Sequence, residues 1–260
     1  QKTAYEIRPR DWSSDVCSSD LPLVAISFAF NGGSTQDAAD KSGAASLATN
    51  MLDEGAGTRT ALDIADQIAY LGGSLRTNSD WDASTVNLHL PVSKIDDGLA
   101  LMGDVALRPT MAPAEFERMK KTRLTAILQG RDNASTLAAL TFAKVLYGAN
   151  HRYGWPANGT EASLNAITPA DIKAFHAKVY QPSNALLIVV GDVTAAQVLP
   201  KLEKQFGAWK NTAPVAKVTL PAAPAAPSTT QSQSSSARTI SRLCQSSSVI
   251  SPESTSASTP

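Results

Sequence analysis

Between Pro22 and Pro227 the chain has no cysteine, since Cys17 and Cys244 lie outside that stretch. It therefore carries no disulfide framework and no thiolate metal cluster, and nothing in it marks a redox compartment. No apolar run approaches the ~20 residues of a membrane-spanning helix. Neither sign of charge dominates: the stretch holds 18 basic and 18 acidic residues and no cationic block, which argues against nucleic acid or an anionic membrane as the main partner. What remains is roughly two hundred residues of ordinary apolar content, enough to bury a good core as one large domain.

The two ends read differently from this middle. Residues 1–21, QKTAYEIRPRDWSSDVCSSDL, lack an apolar run long enough for a signal core. They read as an in-frame translation of sequencing-adapter oligonucleotides, which places them outside the fold, with the true N-terminus and any export signal missing. Residues 228–260 contain 13 Ser and 5 Thr with almost no apolar periodicity, the pattern of a disordered or frameshifted tail. Residues 211–227, ending in the Pro/Ala run from Pro221 to Pro227, read as a linker.

The organising stretch is Lys41 to Gly57, KSGAASLATNMLDEGAG. Ala44, Leu47, Ala48, Met51 and Leu52 recur at the spacing of a helix with one buried stripe. Ser42 is placed to cap that helix and Gly55 to stop it. Ser46, Thr49 and Asn50 stand at i, i+3 and i+4, so they are expected to share a patch on its other side.

Gly43 to Gly55, followed by Thr58, resembles the signature helix of the pitrilysin/insulinase family of zinc peptidases. That family carries an inverted zinc motif, H-x-x-E-H, whose histidines bind zinc and whose glutamate activates water. The resemblance lays the histidines on Ser46 and Asn50 and the glutamate on Thr49. A hydroxyl or a neutral carboxamide is a poor zinc ligand, and Thr49 cannot act as a general base at neutral pH. The family's third ligand is a glutamate on a later helix, and the matching segment, Arg123 to Gln129, has no acidic residue. Ser46, Thr49 and Asn50 therefore read as degenerate motif positions, with no catalytic residue, no metal ligand and no cofactor in this module.

The remaining segments parse into alternating elements. Leu23–Asn31 reads as a central strand, Ala61–Leu71 as a helix capped by Thr60, and Leu75–Asn78 and Thr85–Leu90 as paired strands. Helices are expected from Ser93 to Leu107, from Pro113 through Ile127, from Ser135 to Tyr147, from the Thr168/Asp171 capping pair to Tyr180, and from Thr194 to Phe206. The unbroken apolar run Ala185–Val190 reads as a buried strand. Strands at both ends with helices between them make an α+β, two-layer sandwich, and the resemblance sharpens this to a mixed or antiparallel sheet with helices on one face over residues 22–210. Tyr147-Gly148, His151, Tyr153-Gly154, Gly159-Thr160, Pro182, Asn184 and Gly191-Asp192 continue the resemblance, with Arg152 where the family usually has proline.

Other polar groups have plainer readings. His89 is expected to be a solvated or cross-strand residue, His151 part of loop packing, and His176 chemically idle. Asp53 and Glu54 close the motif helix, while Asp96-Asp97 and the Lys120-Lys121-Arg123 group read as solvated helix faces.

The resemblance implies a non-catalytic half or subunit of a zinc metallopeptidase, inactive by itself. It would form a peptide-binding chamber with a catalytic partner that bears H-x-x-E-H and the zinc, acting on unfolded peptide in the periplasm or outside the cell. A structural or assembly role, like that of the core subunits of the respiratory cytochrome complex, fits the same losses. An independently active metalloendopeptidase would need ligands the sequence does not show.

Overall fold

The computed structural model describes residues 5–7, 22–148, 150–212 and 220. The chain opens with β1 (Tyr5–Ile7), β2 (Leu23–Asn31), α1 (Ala44–Asn50), β3 (Gly55–Ala56), β4 (Arg59–Thr60), α2 (Ala61–Tyr70), β5 (Ser74–Ser79) and β6 (Ala83–Pro91). It continues with α3 (Ile95–Leu107), α4 (Pro113–Gly130), α5 (Ala134–Tyr147), α6 (Glu161–Ala166), α7 (Pro169–Val179), β7 (Ala185–Gly191) and α8 (Ala195–Phe206). The described residues divide into two compact units, 5–7, 22–128, 156–212 and 220 in the first, and 129–148 with 150–155 in the second.

The first unit is built on a five-stranded sheet of order β1-β7-β2-β6-β5. β2 alternates buried Val24, Ile26, Phe28 and Phe30 with less buried neighbours, the period-2 pattern of a strand with one core face. Its antiparallel register sets Ile26 opposite Leu88 and Val189, and Phe28 opposite Val86 and Leu187, so three strands present one apolar face. β1 runs parallel to β7, which makes the sheet mixed.

Tyr5–Ile7 lie beside Leu187–Val189 as an edge strand. One expectation changes here. β7 is not buried on both faces: Leu187 and Val189 are enclosed, while Ile188 is 37% and Val190 60% exposed. Among the described residues the helices cover one face of this sheet, so an apolar run need not mean two-sided burial. The linker from 213 on, except residue 220, and the whole Ser/Thr-rich tail lie outside the described residues, as do Cys17 and Cys244.

α1, α3, α7 and α8 supply the second layer through Leu47, Leu99, Met102, Ile172, Phe175, Val198 and Leu202. Phe28 meets Phe206 edge-on at 5.2 Å between ring centroids and Trp209 at 5.6 Å, and Phe30 lies 4.2 Å from Tyr180. The helix starts at 60, 168 and 194 form as the sequence predicts, each a capping box. α6 has the same device, Thr160 with Ser163, although its six residues were too short for periodicity to reveal.

In the second unit α5 begins with the Asn133 side chain accepting from Thr136 N at 3.0 Å. His151 accepts from Tyr153 N through Nδ1 and packs its ring 5.2 Å from Tyr147 and 5.1 Å from Tyr153. It packs a structured loop, as the sequence predicts. Arg152 lies over the Trp155 ring at 4.6 Å.

Candidate functional site

The motif helix α1 is only seven residues long, and Ala44 through Thr49 are all buried. About two turns of helix cannot hold themselves together in water. Its start is held from outside: one Asp37 carboxylate oxygen accepts from Gly43 N at 2.8 Å and the other from Ala45 N at 2.9 Å. The anion sits at the positive end of the helix, where two backbone donors lack partners within it. Ser42 is therefore not the cap; its hydroxyl donates to Ser163 Oγ at 3.2 Å instead. Gly43 has φ 97°, and a Cβ there would stand 2.8 Å from the Asn158 carbonyl oxygen, so only glycine lets these two chain segments meet. Gly55 does not stop the helix either, because α1 has already ended at Asn50 and Gly55 belongs to β3.

The three motif positions do not form one surface patch. Ser46 is 4% exposed; it donates to Asn158 Oδ1 at 2.9 Å and accepts from Arg123 Nη1 at 2.9 Å. Arg123 Nη1 also donates to Asn158 Oδ1 at 2.7 Å, closing a triangle of charge and dipoles. Thr49, 0% exposed, faces a second network. Its hydroxyl donates to Ser84 Oγ at 3.2 Å, and Ser84 donates to the Gly32 carbonyl at 2.8 Å. With the Thr49 proton committed, the Tyr180 hydroxyl 3.1 Å away is the donor to Thr49. Asn50 is half-buried and joins neither network.

Electrostatics in both networks follow from burial. Desolvation pulls the Arg123 guanidinium below its usual range. Burial pushes the Tyr180 phenol up to about 12, against the smaller opposing effect of its bonds to Thr49 and Ser84. His176 stacks on Tyr180 at 4.5 Å and bonds the Ala106 carbonyl at 2.9 Å. A carbonyl only accepts, so Nε2 carries the proton, and burial lowers the imidazole's pKa and keeps it neutral. These hydroxyls, the phenol and the imidazole are arranged to hold protons in place: the chain of donors ends on a backbone oxygen, and no carboxylate takes part.

Four participants escaped the sequence reading: Arg123, Asn158, Ser84 and Tyr180. Arg123 reads from sequence as a solvated face, yet it reaches into the protein at the motif. A signal did exist, because Arg123 opens the segment that the resemblance matches to the third ligand. His176, expected to be chemically idle, stacks on Tyr180. The other candidates stay apart. His89 is exposed on β6 opposite Ser74 and Ala25, Glu54 pairs with Arg118 at 2.5 Å, and burial raises the pKa of Asp53. Lys120 spans to the Asn165 and Ile167 carbonyls at 3.2 Å, and Asp96 pairs with Lys201. Among the described residues no group of three or more His, Cys, Asp or Glu is placed to hold a metal ion. No helix among them is long and apolar enough to cross a membrane.

Comparison with known proteins gives this geometry a lineage. Residues 18–144 match the Insulinase (Peptidase family M16) family, and residues 166–243 match the Peptidase M16 inactive domain. An uncharacterized zinc protease of Mycobacterium leprae is 28% identical over 209 residues, covering 75% of this chain and 47% of that protein. The non-peptidase homolog YmxG of Helicobacter pylori is 26% identical over 182 residues, covering 70% of this chain and 42% of that protein. The crystal structure of a peptidase M16 inactive domain from Pseudomonas fluorescens aligns with a TM-score of 0.72 at 30% identity, over 78% of this chain and 49% of that one. The periplasmic protease PqqL of Escherichia coli shares the fold, with a TM-score of 0.72 at 19% identity over 84% of this chain and 24% of that one. The chain thus spans less than half the length of these relatives. With two matches to one family, a shared fold and no H-x-x-E-H anywhere in its sequence, the chain belongs to the pitrilysin/insulinase (M16) peptidase family as a module without the family's zinc motif.

Proposed function

We propose that this chain is a non-catalytic half or subunit of an M16 zinc peptidase, which forms a peptide-binding chamber with a catalytic partner and works in the periplasm or outside the cell. The observation that carries this reading is the guanidinium of Arg123 bonded to Ser46, the first motif position. Zinc requires imidazole, thiolate or carboxylate ligands, and positions 46, 49 and 50 offer two hydroxyls and a carboxamide. A divalent ion beside Ser46 would also face the Arg123 charge, a repulsion on the order of a few kcal/mol even with solvent screening. The residues do not fit zinc, and the metal is assigned to the partner, which supplies H-x-x-E-H. The inactive domain and the non-peptidase homolog among the similar proteins support the same reading.

The test begins with the full chain, dialysed exhaustively against metal-free buffer, and its zinc content. Less than about a tenth of an equivalent is expected. The chain alone should not cleave an unfolded peptide, and chelator-sensitive cleavage should rise when an H-x-x-E-H-bearing M16 subunit from the same genome is added. A full equivalent of zinc, with chelator-sensitive cleavage by the chain alone, would overturn the proposal. A stable complex whose cleavage rate is indifferent to this chain would replace it with a purely structural role.

A further inference from the structure

Arg123 is a half-buried cation without a counter-charge. Its bonds run from Nη1 alone, to the neutral oxygens Ser46 Oγ and Asn158 Oδ1 at 2.9 and 2.7 Å. No carboxylate pairs with it among the described residues, although Lys41, Arg59, Arg108, Arg118 and Lys201 all have one. Among the described residues its Nε and Nη2 make no bond, and they are not among the enclosed polar atoms there without a partner, Gln36 Oε1 and Arg152 Nη1. One nitrogen is thus anchored inward while the Nε/Nη2 edge stays open to solvent. That edge presents two parallel N–H donors, the fork that matches the two oxygens of a carboxylate. Burial has already stripped part of the hydration from the guanidinium, so an arriving anion displaces less water from it than from an exposed arginine.

We propose that Arg123, steadied by Ser46 and Asn158, is a carboxylate-binding site, and that it receives the C-terminal carboxylate or an acidic side chain of a bound peptide. The peptide source rests on the function proposed above, whereas the carboxylate chemistry stands on the geometry alone. The motif position would then have exchanged a cation held by protein ligands for a cation that is itself a side chain, turned toward an anionic ligand.

Fluorescence anisotropy on the full chain tests this with one labelled, unstructured peptide in three forms: a free C-terminus without acidic side chains, an amidated C-terminus with one Glu, and an amidated C-terminus with Gln in its place. At least one carboxylate form should bind about ten-fold more tightly than the neutral form, as expected for charge-assisted bonds, and the stronger of the two names the source. Arg123→Met should erase the preference. Arg123→Lys, which keeps the charge without the fork, should retain only part of it and guards against a loss through misfolding. Equal binding of all three forms by the wild type, or a preference that survives in Arg123→Met, would overturn the site while leaving peptide binding intact. If no form binds, propionate is the remaining probe: a rise in the melting temperature of the wild type but not of Arg123→Met upholds the site against the peptide reading. No rise overturns it.

Discussion

At the motif helix the two hydroxyls three residues apart part company, Ser46 toward a cation and Thr49 toward a phenol. Each is satisfied, which is what keeps small polar groups tolerable at near-zero exposure. The Tyr180 end of this network makes a pH prediction. An unfolded tyrosine loses its proton near pH ~10, whereas in the fold burial holds the phenol up to about 12. Above ~10 the unfolded state binds fewer protons than the native one, so stability falls as pH rises through that window. Tyr180→Phe should remove this share of the alkaline slope and cost about 0.5–1.5 kcal/mol at neutral pH for the lost bond to Thr49. Urea midpoints at neutral pH and near pH ~11 measure both, and an unchanged alkaline slope would count against a protonated, enclosed Tyr180. His176 has the opposite sign at the acid end. Its folded pKa lies below the ordinary value of 6.5, so stability is lost as pH falls below that value and the unfolded imidazole takes up a proton the native ring refuses.

Among the elements, α1 depends most on its neighbours. It is too short for periodicity or propensity to sustain, and its first turn is organised by Asp37, six and eight residues away from the amides it accepts. Asp37→Ala should therefore cost about 2–3 kcal/mol, above an ordinary cap substitution, because it removes charge-assisted bonds to buried amides. A shift of the urea midpoint by less than a few tenths of a kcal/mol equivalent would show that packing alone positions the helix. α2 has a more local device, with Thr60 and Asp63 bonded reciprocally. The Thr60 backbone and hydroxyl bonds lower the Asp63 pKa, so that contribution is present above the unfolded carboxylate pKa and fades as pH drops through the folded one.

At the scale of the whole molecule, the core of the first unit packs on one face of its sheet. Phe28 and Phe30 join the strands to Phe206, Tyr180 and Trp209, so helix and sheet layers share a single aromatic contact set. One-sided burial makes neighbouring residues of β7 respond in opposite ways. Val190→Lys should shift stability by no more than about 0.5 kcal/mol, while Val189→Lys should cost more than about 4 kcal/mol, because its ammonium would enter the core unpaired. Paired thermal melts decide this, and equal losses would mean that the outer face is covered as well.

Reading the sequence alone was enough wherever the cause is local. β2, α2, α7 and the β5/β6 hairpin follow from alternation, capping boxes and breakers within a few residues of each other, and the absence of H-x-x-E-H is likewise read directly from the residues at 46, 49 and 50. Tertiary structure decided whatever depends on residues far apart in the chain. Asp37 rather than Ser42 starts α1, because carboxylate reach is a distance in space. Half of the apolar strand Ala185–Gly191 faces outward, because helices cover one side only. Arg123, 77 residues beyond Ser46, became its partner because α4 brings the guanidinium back to the motif helix. Periodicity places a residue on its own helix, but which neighbour meets that face is set by packing, so the sequence could mark the Arg123 segment without showing that its guanidinium bonds Ser46.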